Sequence, residues 1–459
     1  MINVTDKHNC CGCEACVQAC PKQCISFEQD SEGFRYPNVD ESLCIACGAC
    51  ERTCPILSPY DNRQPLSQKA AVNPDLAIRK QSSSGGIFSM LAERIIQEGG
   101  VVFGVRFDEN WQAVFDYTES IDGLTAFRGS KYVQARVVDA YMSVKNFLKE
   151  GRKVLFTGTS CQVAALRHFL HRDYDNLLLV DIICHGVPSP KVWGRYLDEV
   201  THNAVRAISD VQFRNKRQGW KRFNFDMTYD SQGEAVNISS WHQQNHFMRI
   251  FLQDAILRPS CHTCKAKAGS SGSDLTIADF WGIDKINPSL DDDQGTSLVL
   301  VYTSKGAQNL NALGLETWEA KYEDVVRFNP SIEISKPEHP KRSEFFAKLD
   351  STDSVVNLID ETLRLPLSVR IKRLPRAMAY RLYHILKKAL GGGNYEHSKG
   401  QEITNSLGQA EFVIAHPVVS DFTFRSKKNG WKQYRMEVKI GLLTSFAYYK
   451  KMGYKVPED

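Results

Sequence analysis

The 459-residue chain contains no stretch approaching the roughly 18 continuous apolar residues of a membrane span, so no helix built to cross a bilayer is expected. No apolar run precedes the first cysteine, so no secretory signal peptide is expected either. Charge is nearly balanced. The 57 Lys and Arg against 53 Asp and Glu leave a formal +4, which at this length gives no reason to expect a nucleic-acid partner. No Gly-x-Gly-x-x-Gly follows a strand-like run, so the dinucleotide fingerprint is missing. What the chain has in plenty is cysteine, fourteen in all, and without signs of export these point to a reducing cytoplasm rather than to disulfides. With 42% apolar residues there is material for real cores in about three domains.

Eight of the cysteines write one pattern twice: Cys10-x-x-Cys13-x-x-Cys16-x-x-x-Cys20-Pro21, then Cys44-x-x-Cys47-x-x-Cys50-x-x-x-Cys54-Pro55. Adding 34 to each position of the first run gives the second, so the segment is an internal duplication. This is the run of a two-cluster bacterial ferredoxin, in which the cysteine before proline ligates the other cluster. The expected ligand sets are therefore Cys10, Cys13, Cys16 and Cys54 for one [4Fe-4S] cluster, and Cys44, Cys47, Cys50 and Cys20 for the second. Residues 1–60 form this module, which is too short for a large core and must be held together by its metal. A pair of structural zinc sites would also use Cys-x-x-Cys, but not two full runs each ending in Cys-Pro. Cys11 and Cys24 fall outside the spacing and read as small buried residues.

After a polar, proline-containing linker over 59–68, Ser82-Ser83-Ser84-Gly85-Gly86 opens a helix-like segment, and Val101 to Val105 reads as a strand. Such a loop offers backbone N–H groups to an anion, although serine at a helix start also serves as an ordinary cap. A second strand–turn–helix unit follows at Lys153 to Leu166, with Gly158, Thr159 and Cys161 in its turn. The apolar run Leu177 to Ile183 then ends at Cys184-His185-Gly186. Strand ends and helix starts converge on the functional crevice of open α/β sheets, so Cys161 and Cys184 are candidates for one site. Cys261-His262-Thr263-Cys264 supplies the remaining two cysteines. Four thiolates suffice for a third [4Fe-4S] cluster. The residues alone leave that reading open beside a structural zinc, or inert cysteines with one redox-active pair.

The ordered set Ser83-Ser84-Gly85-Gly86-Ile87-Phe88, Gly129-Ser130-Lys131-Tyr132-Val133-Gln134, Gly158-Thr159-Ser160-Cys161-Gln162, Ile183-Cys184-His185-Gly186-Val187-Pro188-Ser189-Pro190, Cys261-x-x-Cys264, Asp279-Phe280-Trp281-Gly282 and Asp291 to Ser297 resembles the family of coenzyme F420 hydrogenase/dehydrogenase beta subunits. The match runs from about Ser82 to Arg342, and a fused amino-terminal dicluster ferredoxin also resembles that family. The resemblance implies a mixed α+β and α/β fold that is not Rossmann. It further implies a flavin, normally FAD, and a [4Fe-4S] cluster on Cys161, Cys184, Cys261 and Cys264. By position in the motifs, Ser84, Gly85, Gly86, Lys131, Gly158 and Thr159 are the implied flavin contacts. One departure is Ser160, where relatives usually carry proline; that alters loop stiffness more than ligand chemistry.

The expected organisation is a ferredoxin module over 1–60, the two parts of a flavin domain over 61–150 and 151–342, and a helical extension over 343–459. Clusters pass single electrons and organic substrates exchange pairs, so a flavin must stand between them. The expected function is an FAD-dependent iron–sulfur oxidoreductase acting on coenzyme F420 or another organic molecule, served by a redox partner or carrier. The alternative is a non-catalytic electron-transfer subunit. His185 is the candidate for proton transfer, with His262 behind it. Trp220 and Trp281 suit core packing, or stacking on a flavin. Asp291, Asp292 and Asp293 read as a solvated acidic loop. A basic amphipathic helix over about 375–390 is a candidate contact for a partner or an anionic membrane, against packing on the protein's own body.

Overall fold

The computed structural model describes residues 1–364 and the backbone of four short strands between 401 and 439. The chain divides into two compact units, Met1–Leu363 and Arg364–Asp459.

In the first unit the duplicated segment forms α1 (Ala15–Ala19), the hairpin β1 (Ile25–Gln29) and β2 (Arg35–Val39), and α2 (Ala49–Arg52). Next come β3 (Ser67–Ala71), α3 (Leu76–Gln81), α4 (Ile87–Gln97), β4 (Val101–Phe107) and β5 (Ala113–Thr118). They are followed by α5 (Ala140–Lys149), β6 (Val154–Thr159), α6 (Ser160–Leu170), β7 (Leu177–Ile182) and α7 (Pro190–Val200). An antiparallel meander, β8 (Ile208–Asn215), β9 (Asn224–Ser231) and β10 (Glu234–Trp241), precedes α8 (His246–Leu252). Then β11 (Leu275–Asp279), α9 (Ile283–Ile286), β12 (Ser297–Val301), α10 (Ser304–Asn311), β13 (Thr317–Glu319), α11 (Tyr322–Phe328), α12 (Arg342–Leu349) and α13 (Val355–Leu363) complete the unit.

The central sheet has the order β13-β3-β12-β11-β7-β6-β4-β5. Its middle strands β11, β7, β6 and β4 are parallel, and the strands on either side are antiparallel. The middle strands are apolar along most of their length because both faces are covered. Alternation then sends successive residues to opposite sides. Val101, Phe103, Val154, Phe156, Leu177 and Leu179 join the core under α5 and α6. Val102, Leu155, Leu178 and Val180 join a second core with Ile87, Leu91 and Ile95 of α4. The result is a three-layer mixed α/β body.

Strands of this one sheet come from both 61–150 and 151–342, so that division runs through a single body. The ferredoxin segment belongs to the same unit. Glu32, in its hairpin, forms a two-bond ion pair with Arg342 of α12, both side chains largely buried. Ser189 donates to the Glu32 carbonyl. Helices α12 and α13 also belong to this unit. The segment expected to be a helical extension departs further from that expectation: β14 (Gln401–Thr404), β15 (Ala410–Ile414), β16 (Asp421–Ser426) and β17 (Arg435–Lys439) form an antiparallel sheet in chain order. The basic helix expected over 375–390 lies outside the described residues.

Candidate functional site

Three cavities in the first unit are lined by cysteine. Cys10, Cys13, Cys16 and Cys54 face one, with Cys11 in its wall. Cys20, Cys44, Cys47 and Cys50 face another, together with Cys24, whose sulfur lies 3.4 Å from that of Cys20. The last cysteine of each run thus sits among the first three of the other. Loop geometry repeats as well as sequence: Gly12 and Ala46, then Glu14 and Gly48, are related by 34 positions, and all four have positive φ. For Glu14 and Ala46 that conformation is strained. Glu14 is held in it by the Val137 and Val138 N–H groups, which donate to its carboxylate, and by Arg35. The two cavities differ in setting, since Cys13, Cys16 and Cys54 are buried whereas Cys47 is exposed.

The third cavity lies beyond the carboxyl ends of β6 and β7 and brings together Cys161, Cys184, Cys261 and Cys264. Thr159 ends β6 and caps α6, sharing reciprocal bonds with Gln162, so Cys161 is fixed in the first helical turn. The Thr159 hydroxyl lies 3.3 Å from the Cys161 sulfur. Cys184 follows two residues after β7. Cys261 sits in the turn Pro259–Thr263 and accepts from Val187 N–H at 3.4 Å. Burial pushes the Cys184 thiol up to about 12 and raises Cys264 and Cys261 as well, while Cys161 is pushed up first by its contact with Cys11. Four thiols of this kind share a cavity poorly as thiolates unless a cationic metal core lies between them, and that donor set fits an iron–sulfur cluster. Lys267 adds positive charge, donating to the carbonyls of Cys184 and Ser331 at 2.6 and 2.7 Å. Among the described residues, no three His, Cys, Asp or Glu side chains are grouped to hold a single metal ion.

Cys11 lines both the first ferredoxin cavity and this third one. Its position, not its spacing, gives it significance, so the cysteine pattern could not have marked it.

His185 also faces the third cavity, where Asp254 accepts from its Nε2 at 2.6 Å and Phe251 packs on its ring. His262 donates from Nδ1 to the Lys336 carbonyl at 3.0 Å, and its burial lowers its pKa.

The implied flavin contacts fall in two places. Gly158 and Thr159 belong to the β6–α6 turn, and Thr159 lines the cysteine cavity. Ser84, Gly85, Gly86 and Lys131 belong to two other loops, joined by a 2.8 Å bond between the Ser83 and Ser130 hydroxyls. The Ser84 hydroxyl donates to Thr296 O, Gly85 N–H donates to Ser297 Oγ, and Gly86 caps α4 with φ 84°. Lys131 gives its ammonium to the carbonyls of Ala126, Arg128 and Gly129, and burial lowers its pKa to about 7.

Nearby are two cations that no sequence pattern singled out. Buried Lys216 donates to the carbonyls of Arg79, Ser84 and Gln294. Buried Arg214 pairs with Asp279, but its Nε and Nη2 have no partner. Orphaned guanidinium donors beside a serine loop fit an anionic cofactor group. Trp220 and Trp281 stack on each other at 4.7 Å, which is packing within the core. The acidic run is bound into the fold, with Asp292 on Arg79, Asp291 on Lys221 and Asp293 on the Lys221 N–H.

A dicluster ferredoxin module joined to a three-layer α/β body is the class that the fold and cysteines define. Residues 9–56 match the family described as 4Fe-4S dicluster domain, and residues 151–322 match the C terminus of the beta subunit of coenzyme F420 hydrogenase/dehydrogenase. The beta-subunit match thus covers the second half of the α/β body, and the dicluster match lies on its amino-terminal side. It is 25% identical over 248 residues to the F subunit of F(420)H(2) dehydrogenase from Methanosarcina mazei, covering 50% of this chain and 66% of that one. It is 41% identical over 46 residues to a ferredoxin, "Ferredoxin 7Fe", of Hydrogenibacillus schlegelii, covering 10% of this chain and 53% of that one. The match therefore spans under two thirds of each relative's length. A chain of the F420-reducing [NiFe] hydrogenase complex from Methanosarcina barkeri aligns with TM-score 0.40 and 16% identity, over 68% of this chain and 94% of that one. Among the described residues no helix is long and apolar enough to cross a membrane.

Proposed function

We propose that this chain is a flavin-dependent iron–sulfur oxidoreductase subunit that relays single electrons between an external carrier and an organic two-electron substrate, with coenzyme F420 the leading candidate. The observation that carries the reading is Cys11 in the shared wall of two cysteine cavities, which sets the inner ferredoxin cavity directly against the third, while exposed Cys47 opens the remaining one to a carrier. When bound, the clusters supply one-electron steps and FAD supplies exchange of an electron pair with substrate. Cys10, Cys13, Cys16 and Cys54 would hold one cluster, Cys20, Cys44, Cys47 and Cys50 the second, and Cys161, Cys184, Cys261 and Cys264 the third. Ser83, Ser130 and the free donors of Arg214 would hold the anionic part of the flavin, with Lys216, whose donors go to three carbonyls, near them as a charge only. Asp254 fixes the proton of His185 on Nε2, so Nδ1 is the ring atom left to take or give a proton at the cavity. The name of the Methanosarcina mazei relative supports a deazaflavin as substrate.

A second reading, a non-catalytic electron-transfer subunit, is favoured by the way Ser84 and Lys131 spend their donors on the protein's own carbonyls. Anaerobic reduction by a low-potential one-electron donor separates the two. Bleaching of bound flavin, slowed by Cys161→Ser with both ferredoxin clusters intact, supports the oxidoreductase. A chain that loads its clusters but retains no flavin belongs to the second reading.

A further inference from the structure

Arg258 is fully buried, yet no carboxylate is among its partners. Its Nε donates to the Cys10 carbonyl at 2.7 Å, Nη1 to Gln134 Oε1 at 3.1 Å, and Nη2 to the Arg35 carbonyl at 3.0 Å. Nη2 also lies 3.5 Å from the Cys10 sulfur. The guanidinium is sandwiched against Tyr36 and Phe34, 4.2 and 5.5 Å from their ring centroids. A guanidinium cannot shed its proton, and an isolated buried cation is costly unless an anion lies close. The anion at hand is the thiolate-ligated core that Cys10 serves.

The duplication makes the point sharper, because its two halves differ at this spot. A Cβ on Gly12 would collide with Gln134 Nε2 and lie 2.8 Å from Arg258 Nη1. At the equivalent position 34 residues on, the chain carries Ala46, which is exposed, and the second loop faces solvent with no buried cation against it among the described residues. The charges at the second loop and its cavity, exposed Arg52 and Lys22 and the terminal amino group paired with Glu51, are screened by water. The first loop is thus shaped around a buried arginine, whereas the arginine at its twin, Arg52, which donates to the Cys47 carbonyl, is exposed.

We infer that Arg258 is a tuning residue which raises the reduction potential of the Cys10/Cys13/Cys16/Cys54 cluster above that of its twin, so that electrons settle on the inner cluster, the one that shares a wall with the third cavity. Net charge near a cluster, hydrogen bonds to its sulfurs and solvent access set such potentials. A fixed cation stabilises the reduced state, which carries one more negative charge. In the step itself one electron leaves the surface cluster, which is oxidised, and enters the inner cluster, which is reduced; no proton or other reactant takes part. The inference compares the two ferredoxin clusters; because Arg258 also borders Cys261 of the third cavity, whose N–H donates to its carbonyl, the titration follows every cluster and the claim is carried by the inner cluster's shift relative to its twin.

The test is potentiometric titration of the full chain followed by electron paramagnetic resonance, with iron and sulfide counted on each preparation. Arg258→Met is expected to lower the reduced-to-oxidised ratio of the inner cluster at least tenfold at fixed potential, a shift of about 59 mV. The surface cluster should not move, and Arg258→Lys should restore most of the loss. An Arg258→Met chain with full iron and an unmoved inner potential overturns the inference. If Arg258→Met does not assemble, the unaltered chain decides. Cys47→Ser identifies the surface cluster as the step it perturbs, and that step must lie at the lower potential. The reverse order overturns the inference.

Discussion

Single side chains carry unequal parts of the account. Cys161→Ser should cut iron from about twelve to about eight per chain while both ferredoxin signals persist, because its cavity is separate from theirs except at Cys11 and Ile56. Loss of the ferredoxin signals would show that the partition of ligands is wrong. Lys216 makes a pH prediction. Burial, with Arg214 and Arg79 nearby, lowers its pKa to about 7 in the fold, against 10.5 when unfolded. Between those values the unfolded chain binds the extra proton, so this group makes stability rise with pH from about 7 to 10.5. Lys216→Met should flatten that rise in denaturant midpoints measured across the window. Identical slopes would mean that the ammonium stays charged on its three carbonyl acceptors. The cysteines that line the two ferredoxin cavities stood out in the sequence because the proposed coordination imposes spacing. Arg258, Lys216 and Gln134 could not, because a lone basic or amide residue has no period, and Arg258 meets Cys10 across 248 positions.

At the scale of elements, what could be read was whatever a turn requires of consecutive residues. The β6–α6 unit was visible as an apolar run, a Gly/Thr turn and a helix, and Thr159 with Gln162 forms the cap there. The Ser/Gly loop was visible as a helix start, but its partners were not, since Thr296 and Ser297 lie more than two hundred positions along the chain. Gly85 marks the consequence. A Cβ there would stand 2.6 Å from Ser297 N and 2.7 Å from Ala71 O, both backbone atoms that cannot swing aside. Gly85→Ala should therefore destabilise the body by about 1–3 kcal/mol and weaken flavin retention, read by thermal melting and by flavin released on dialysis. Melting unchanged from the parent would mean that the loop has room the packing does not suggest. Charge alone was a poor guide to the acidic turn at 291–293, which read as a solvated loop. Its aspartates hold Arg79 and Lys221, partners supplied by other parts of the fold.

Across the whole molecule, mixed α/β character was what the family resemblance implied, with two strand–turn–helix units visible beside it, but the sheet order was not legible. β3 pairs with β12 and β13, which lie more than two hundred residues further on, and no local pattern records such pairing. The ferredoxin segment, expected to depend on its metal, is also gripped by the body through Glu32 and Arg342. Glu32→Gln leaves a buried guanidinium without its charge partner and should cost about 3 kcal/mol in denaturant unfolding, with partial recovery in the Glu32→Gln/Arg342→Met pair. No recovery in the pair would place the loss in packing instead of charge. The central claim, a chain of three clusters leading to a flavin, meets its most direct test in composition. Iron, sulfide, zinc and released flavin should be measured on one anaerobic preparation of the full chain. The account predicts about twelve iron, twelve sulfide and one FAD per chain with no zinc. About eight iron, with zinc and no flavin, would contradict it and leave a ferredoxin carried on a structural scaffold.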